Sequence, residues 1–277
     1  MAGTLYLAAT PIGNLEDITL RVLRVLKEVD LIACEDTRTS AHLLQHFEIT
    51  APVTSYHKFN EEEKGEELVG RLLRGENIAL ITDAGTPAIS DPGESLVRKC
   101  LDQNITVTSL PGPSAVITAL TLSGMSTRSF VFEGFLPREH KEQREVLERL
   151  KRETRTIVLY EAPHRLTKTL QTLAEAFGGE RNIALCRELT KKFETVRRTT
   201  LAEAADTEEP RGEYVLVIEG RSGEELQAEN AARWQELTIA EHVALYEAQG
   251  MDRKAAMKAA ANDRGITKRD VYQAINV

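Results

Sequence analysis

Short apolar runs alternate with segments of helical periodicity over the first 127 residues. Leu31 to Cys34 is an uninterrupted apolar run of strand length, whereas Thr19 to Val29 repeats its apolar positions at helical spacing among basic residues. The same patterns predict further strands at Thr4 to Ala9, Asn77 to Thr82 and Ile105 to Ser109, and further helices at Ser40 to Phe47, at Glu61 to Arg74, and after Asp91 and Pro111. Asp91 is the predicted cap of its helix, with Pro92 at the first helical position and Glu94 completing a capping box. Strands and helices in this order indicate a parallel sheet that is covered by helices on both faces.

The pattern changes after about residue 128. Strands are predicted at Phe130 to Glu133, Thr156 to Tyr160, Ile183 to Arg187, Thr195 to Thr200 and Glu213 to Glu219, with long helices only at Glu139 to Arg152 and His164 to Phe177. Because the last of these strands have no long helix between them, part of this sheet is expected to be antiparallel. We therefore predict a second α/β domain with a mixed sheet.

Three short helices are predicted at the C-terminal end of the chain. Their starts carry capping residues, namely Thr238 with Glu241, Asp252, and Thr267 with Asp270. Short helices joined by tight turns are typical of a helix-turn-helix-like unit. The predicted organisation is an N-terminal α/β domain at 1–127, a second α/β domain at 128–220, a polar linker at 221–236 and a helical tail at 237–277.

Glycine and proline concentrate in three loops that follow strands of the first domain. These loops are Ala9 to Asn14, Asp83 to Gly93, and Leu110 to Ala115. In open parallel sheets, ligands bind just outside the carboxyl ends of the strands. Glycine lets the backbone approach a ligand closely, and proline fixes the shape of a loop before the ligand binds. Any one loop could be a plain structural turn, but three at one sheet edge indicate a binding site.

The loop composition restricts the kind of ligand. The chain has neither a GxGxxG after a strand nor a GxxxxGK[ST] motif, and the three loops contain almost no lysine or arginine. A ligand rich in phosphate is therefore disfavoured, and a small neutral or cationic ligand is favoured. S-adenosylmethionine fits this description because its sulfonium is cationic and tolerates a carboxylate such as Asp83.

Charge and cysteine content narrow the class of protein further. The net charge of −8 argues weakly against a protein that simply coats nucleic acid. The apolar runs are too short to span a membrane, and the N-terminal segment lacks the basic region of a signal peptide. The three cysteines are far apart within apolar runs, so we expect buried free thiols in a reducing cytoplasm.

Seven motifs occur in a fixed order along the chain: TPIGNLEDIT, CEDTR, DAGTPAISDPG, LPGPSA, YEAPHR, RELTKKFE and GEYVLVIEG. In this order they resemble the ribosomal RNA small-subunit methyltransferase I family, which belongs to the tetrapyrrole (precorrin-type) methylase superfamily. The resemblance extends from about residue 4 to 220, and the segment KAAMKAAANDRGITKRDVY resembles the helical tail of the same family. Each motif is weak alone, but the combination is highly specific.

The resemblance implies a two-domain methylase fold with S-adenosylmethionine bound in the cleft between the domains. It further implies a homodimer that methylates the ribose 2′-hydroxyl of a cytidine in 16S rRNA, near the decoding centre of the small ribosomal subunit. Through the resemblance, the residues expected to contact the cofactor are Pro11, Asp83, Ala84, Gly85, Pro87, Ser114, Ala115, Leu189, Gly212 and Glu213. For Gly212, a plain turn before the last strand is an equally good interpretation.

Charged residues at two strand ends are the candidates for catalysis and substrate positioning. Glu35, Asp36 and Arg38 follow the second strand, and Glu188 and Lys191 end a strand of the second domain. A carboxylate could draw off the hydroxyl proton and a cation could position phosphates, although solvated ion pairs at strand ends are more common.

Three histidines are weaker candidates than these charged residues. His164, beside a helix N-terminus, is a second-rank candidate for the general base. His42 and His46 are spaced i, i+4 but lack the glutamate of an HExxH motif and a third ligand, so no metal site is expected.

Two other functions remain open at this point. One is a DNA-binding regulator with a ligand-sensing core, because residues 251–270 carry six basic residues against three acidic ones. The other is a methylase of a small tetrapyrrole. The latter has no need of a basic helical tail, which favours RNA as the substrate.

Overall fold

The computed structural model describes residues 1–206, 210–223, 234 and 237–275. Five parallel strands form the first sheet, in the order β3-β2-β4-β1-β5. The strands are β1 (Thr4–Ala8), β2 (Leu31–Cys34), β3 (Val53–Ser55), β4 (Ile78–Ile81) and β5 (Thr106–Leu110). The parallel sheet predicted for the first domain is confirmed, and β3 is a strand that the sequence patterns did not reveal.

Helices cover both faces of this sheet. The helices are α1 (Leu20–Glu28) and α2 (Thr37–His46) on one face, and α3 (Glu61–Leu73) and α4 (Glu94–Asp102) on the other. Side chains along β4 alternate between them, so that Ala79 and Ile81 pack with α1 and α2 while Ile78 and Leu80 pack with α3 and α4. This alternation on a fully buried strand explains its continuous apolar sequence.

The neighbouring strands β1 and β4 send their connections to opposite faces of the sheet. The chain leaving β1 enters α1 on one face, and the chain leaving β4 enters α4 on the other. The carboxyl ends of β1 and β4 therefore form a topological switch point, which is where open parallel sheets bind ligands.

The second sheet is mixed, in the order β6-β7-β10-β8-β9. Its strands are β6 (Phe130–Phe135), β7 (Thr156–Glu161), β8 (Asn182–Arg187), β9 (Thr195–Thr200) and β10 (Tyr214–Ile218). Strands β6 and β7 pair in parallel, and the other pairs are antiparallel, as the missing helices predicted. One face is covered by the helices α6 (His140–Lys151), α7 (Pro163–Phe177) and α8 (Leu201–Ala205).

Helix α5 (Ala115–Ser123) covers the other face of the second sheet. Its residues Val116 and Leu120 share a buried cluster with Val158 of β7 and Val217 of β10. The predicted boundary at 127/128 assigns α5 to the N-terminal domain, although α5 packs on the second sheet. The division of the chain into domains stays a prediction.

The C-terminal tail has three helices with a core of their own. They are α9 (Ile239–Ala248), α10 (Arg253–Arg264) and α11 (Lys268–Ile275). Val243, Met257 and Val271, one from each helix, are buried together. Thr238 and Glu241 form the predicted capping box of α9, and Asp252 caps α10. Most of the predicted linker lies outside the described residues.

The predicted cap at Asp91 is wrong. Helix α4 begins only at Glu94, with Gly93 at its N-cap in a positive-φ conformation (φ 139°) and no side-chain cap. The Gly93 N–H donates instead to Glu61 Oε1 of α3, at 3.2 Å. Because α3 fixes the start of α4, the Asp91 carboxylate has no capping role. Helix α2 likewise begins three residues before the predicted Ser40, and Asp36 caps it.

Two further sequence-based expectations can be compared with the described residues. Cys34, Cys100 and Cys186 are buried free thiols, as predicted, and burial raises the pKa of each. Within the described ranges, no helix combines the length and apolar character that a bilayer crossing requires.

Candidate active site in the cleft between the sheets

Backbone and hydroxyl hydrogen bonds join the three glycine- and proline-rich loops to one another. Thr10 and Gly85 exchange two backbone hydrogen bonds, with N–O distances of 2.9 and 3.0 Å. The Thr86 hydroxyl donates to the carbonyl of Pro113 at 3.1 Å. The loops after β1, β4 and β5 therefore form one assembly across the switch point, and proline and glycine hold it in shape before any ligand arrives.

A cleft of about 410 Å³ separates this assembly from the second sheet. Its volume lies in the range of small-molecule sites. Both sheets contribute to its walls. From the first half of the chain the cleft is lined by Ile12, Asp83, Ala84, Gly85, Thr86, Ile89, Ser90, Asp91, Ser114 and Ala115. Beyond residue 130 it is lined by Phe135, Tyr160, Glu161, Ala162, Pro163, Cys186, Glu188, Leu189, Lys191, Glu213, Tyr214 and Val215.

Many of the predicted site residues meet in this cleft, although their roles stay predictions. Of the predicted cofactor contacts, Asp83, Ala84, Gly85, Ser114, Ala115, Leu189 and Glu213 line it, as do the predicted catalytic residues Glu188 and Lys191. The lining does not include Pro11, Pro87, Gly212, Glu35, Asp36 or Arg38. Glu35 instead lines an adjoining cavity.

Two carboxylates, Asp83 and Asp91, lie on the wall that the first sheet provides, and Glu35 lines the adjoining cavity. Burial, followed by the Asp36 charge, raises the pKa of Asp83 although the Asp36 backbone N–H opposes the shift. Burial and the charges of Glu35 and Asp83 raise the pKa of Asp91 to about 7. Burial and Asp83 also raise the pKa of Glu35. These shifts have the direction expected when like charges share a partly buried space, and a bound cation would relieve them.

The opposite wall holds a fixed ion-pair network at the end of β8. The Lys191 ammonium lies 3.0 Å from Glu188 Oε1 and 2.9 Å from Glu213 Oε2. The Glu213 backbone N–H also donates to Glu188 Oε1, at 3.0 Å. This backbone hydrogen bond, aided by Lys191, lowers the pKa of Glu188. Lys191 is the one cation lining the cleft among the described residues, and both of its partners are carboxylates of the same wall.

Gly212 lies behind this network rather than on the cleft surface. Its φ of +79° is unfavourable for other residues, and a Cβ atom there would lie 2.6 Å from Glu188 Oε1. The backbone at Gly212 has the positive φ of a turn before β10, and the role of Gly212 towards a ligand stays a prediction. The turn leaves room for the Glu188 side chain to reach the Glu213 N–H.

Replacing Gly212 with alanine should displace the Glu188 side chain and break its contacts with Glu213 and Lys191. We expect Gly212→Ala to weaken binding of the cleft ligand by about 10-fold. The matched control is Gly250→Ala, at a positive φ of 92° with no atom within 4 Å of the added Cβ. Titration calorimetry of both variants checks this, and equal affinities would show that the network does not support the site.

Some of the predicted bases already accept hydrogen bonds from neighbouring residues or lie outside the cleft. Asp36 accepts two side-chain hydrogen bonds from Arg38 and one from its backbone N–H. The Arg38 contacts lower the pKa of this half-buried carboxylate to about 2, which is unfavourable for a base. His164 is exposed and does not line the cleft. The described residues contain no group of three or more metal-ligating side chains arranged around one point.

Three of the lining residues that sequence reasoning did not assign to the site are Phe135, Tyr160 and Asp91. Phe135 and Tyr160 pack with a centroid distance of 5.5 Å on the second-sheet wall. Phe135 was outside the predicted strand, which ended at Glu133, and Tyr160 was noted only as part of a strand-to-helix junction. Asp91 was assigned to a helix cap. The motif DAGTPAISDPG contained the signal for Asp91, because both of its aspartates stand in one ligand loop.

The fold and this cleft define the class of protein. The family model of the tetrapyrrole (corrin/porphyrin) methylases matches residues 4–205. Similar solved structures include a diphthine synthase, with a TM-score of 0.63 and 13% identity over 79% of this chain and 91% of that one. A cobalt precorrin-4 methyltransferase has a TM-score of 0.59 and 19% identity over 78% and 94%. These two similarities show the fold alone.

Comparison with curated sequences narrows the class. Proteins named ribosomal RNA small subunit methyltransferase I are 48% identical in Halalkalibacterium halodurans, over 98% of this chain and 93% of the relative, and 47% identical in Bacillus subtilis, over 99% and 94%. The Pseudomonas aeruginosa protein of that name is 45% identical over 98% and 96%. The chain belongs to the ribosomal RNA small subunit methyltransferase I family, as the motifs indicated.

Proposed function

We propose that this protein transfers the methyl group of S-adenosylmethionine to the ribose 2′-hydroxyl of a cytidine in 16S rRNA. The observation that carries the proposal is the cleft at the switch point, which is acidic on one wall and ion-paired on the other. The names of the relatives support ribosomal RNA as the acceptor. The donor, the hydroxyl acceptor and the cytidine are our inference from the family pattern and from the chemistry of the site.

The residues of the cleft fit a sulfonium donor. Asp83 supplies negative charge on the wall of the first sheet. Apolar side chains such as Ile12, Ala115 and Leu189 suit the adenosine and methylene groups. No lysine or arginine of the described lining is free to hold a phosphate, because Lys191 binds two carboxylates. The bound donor supplies an activated methyl group, and the protein mainly has to align the acceptor oxygen with it, which can be worth about 7–11 kcal/mol.

The C-terminal tail supports RNA, rather than a small tetrapyrrole, as the methyl acceptor. The tetrapyrrole methylase match ends at residue 205, before the tail, whereas the relatives from Halalkalibacterium halodurans and Bacillus subtilis match 98% and 99% of the chain. Five cations of the tail are exposed, namely Arg253, Lys254, Lys258, Lys268 and Arg269. They could contact phosphates without reading sequence. No specific observation favours the DNA-binding regulator.

Transfer of a labelled methyl group tests the proposed function. We expect the protein to incorporate label from S-adenosylmethionine into small ribosomal subunits of a strain lacking this gene, but not into subunits that already carry the modification. Ribose methylation protects the adjacent phosphodiester from alkali, so the label should be recovered in an alkali-resistant dinucleotide with cytidine on the 5′ side. Label on a base, or on a tetrapyrrole precursor but not on RNA, would contradict the proposal.

The assembly and its location extend the same proposal. We propose a homodimer that acts in the cytoplasm on RNA within the small ribosomal subunit, on the basis of the family pattern. Light scattering measures the mass of the protein in solution, and a monomer at micromolar concentration would contradict the dimer. Comparing methylation of naked 16S rRNA with that of assembled subunits shows which form of the substrate is used.

A further inference from the structure

Asp91 occupies the wall shared by two cavities. It lines the cleft between the sheets and also an adjoining cavity of about 570 Å³, and Ser90 is the other residue common to both. Its side chain is partly buried and does not cap α4, which begins at Glu94. The carboxylate therefore lies between the proposed donor site and a second space that is open to an acceptor.

The Asp91 carboxylate also differs from the other carboxylates of the cleft in its hydrogen bonding. Among the described residues, every other carboxylate of the cleft lining accepts a hydrogen bond. Asp83 accepts from the Asp36 N–H, Glu161 from Thr169 and the Ala162 N–H, Glu188 from the Glu213 N–H and Lys191, and Glu213 from Lys191. Asp91 accepts none from any residue that the structure describes. A general base needs unoccupied lone pairs that face its substrate.

The surroundings of Asp91 favour a base that works near neutral pH. The other charged residues that line the adjoining cavity are Glu35, Lys58, Glu61, Glu94, Arg98, Lys99 and Asp102, and the cleft adds Asp83, Glu161, Glu188, Lys191 and Glu213. Arg98 is ion-paired to Glu94, and Lys99 is ion-paired to Glu62 and Glu66. Tyr160 lies beside it on the second-sheet wall, where burial, followed by the Asp91 charge, raises the tyrosine pKa to about 12. Burial and the two carboxylates Glu35 and Asp83 raise the pKa of Asp91 to about 7. A carboxylate with this pKa is a far better proton acceptor than an ordinary aspartate.

We propose that Asp91 is the general base of the reaction and accepts the proton of the ribose hydroxyl as it attacks. In this step a bond forms between the ribose oxygen and the methyl carbon. The bond from that carbon to the donor sulfur breaks, its electron pair stays on sulfur, and the hydroxyl proton passes to the Asp91 carboxylate. The proton then leaves to water. This inference rests on the proposed function and adds a catalytic residue to it.

The test compares Asp91→Asn with the wild-type protein in the labelled-methyl assay. Asparagine keeps the shape of the side chain but cannot accept the proton, so kcat/KM should fall by about 100- to 10,000-fold. In the wild type, kcat/KM should rise tenfold per pH unit below pH 7 and level off above it, because only the ionised carboxylate acts. We call this rise below pH 7 the acidic limb, and the residual activity of the variant should lack it.

Two further measurements separate catalysis from binding and folding. Calorimetry should show that Asp91→Asn binds S-adenosylmethionine within about threefold of the wild type. A raised aspartate pKa stabilises the fold fully below the unfolded value of about 3.9, and the contribution is lost as pH rises through the folded value near 7. Asp91→Asn should therefore gain thermal stability over the wild type between pH 5 and pH 8, by about 2–4 °C.

Asp17→Asn, an exposed aspartate that lines neither cavity, is the control and should match the wild type in all three measurements. The proposal is overturned if Asp91→Asn keeps the acidic limb, if it retains more than a third of the activity, or if its loss of activity is matched by lost donor affinity. A wild-type protein that methylates no RNA contradicts the proposed function instead, so the two failures are distinguishable.

Discussion

Replacing Gly85 with valine is expected to abolish donor binding, with a loss in affinity of about 100-fold or more, equivalent to roughly 2.7 kcal/mol. Gly85 lies in the middle of the loop assembly, with a φ of +83° and two backbone hydrogen bonds to Thr10. A branched side chain is strongly disfavoured at this φ, and its Cβ would lie 3.4 Å from Cγ2 of Ile12, which also lines the cleft. Either the loop shifts or the methyl groups enter the cleft.

The matched control for this prediction is Gly178→Val. Gly178 has a similar φ of +94°, ends α7, and has no atom within 4 Å of an added Cβ. Both variants should lose stability by about 1–3 kcal/mol through backbone strain. Calorimetry with S-adenosylmethionine should detect binding in Gly178→Val and none in Gly85→Val. Normal binding of S-adenosylmethionine by Gly85→Val would show that the loop is only a structural turn and not part of the donor site.

The sequence predicted the central strands β2 and β4 of the first sheet well because they are buried on both faces. Leu31 to Cys34 and Asn77 to Thr82 are apolar without alternation, and only a strand between two helical layers needs that. Strand β3 (Val53–Ser55) was not predicted, because a three-residue edge strand with an exposed Val53 has no continuous apolar run. The five-residue helix α8 is likewise too short to show periodicity.

The loops of the first sheet could also be predicted, because the carboxyl ends of parallel strands meet at one edge. That rule requires only the order of strands and loops in the sequence, and it brought Asp83 and Ser114 to the same cleft. The second wall could not be derived this way. Glu188 and Glu213 are 25 residues apart and meet through the antiparallel pairing of β8 with β10. The position of Glu188 at a strand end made it a candidate, but only the family resemblance indicated Glu213.

Asp91 shows where local rules mislead. The sequence Asp91-Pro92-Gly93-Glu94 satisfies the pattern for a helix start, with an acidic cap and proline at the first turn. A contact from another helix, Glu61 Oε1 to the Gly93 N–H, determines the actual start. Residue patterns within a loop carry no information about such a contact. The consequence is functional, since a capping carboxylate would be unavailable to a substrate.

Arg264 is one of the six basic residues that suggested nucleic-acid binding by the tail. Its side chain nevertheless makes hydrogen bonds within the tail itself. Its guanidinium donates to the carbonyls of Trp234, Leu237 and Thr238 at 2.9, 2.6 and 3.2 Å. It also donates to Nδ1 of the buried His242, at 3.1 Å. These bonds join the end of α10 to the start of α9.

Replacing Arg264 with methionine should therefore unfold the tail while leaving the methylase sheets intact. Methionine retains much of the apolar stem but leaves these acceptors without their donor, at a cost on the order of 3 kcal/mol. The small core around Val243, Met257 and Val271 contributes too little stability to compensate for such a loss. Hydrogen exchange should show that amides at 239–275 lose protection, whereas those of β1 and β10 and the donor affinity stay unchanged.

Lys258→Met is the matched control, because it removes the same charge from the exposed side of the same helix. It should leave exchange at 239–275 unchanged. If the tail contacts RNA through charge, Lys258→Met should raise the KM for ribosomal subunits modestly, and Arg264→Met should raise it far more because all the exposed cations lose their arrangement. Unchanged exchange protection in Arg264→Met would mean that packing, and not this guanidinium, holds the three helices together.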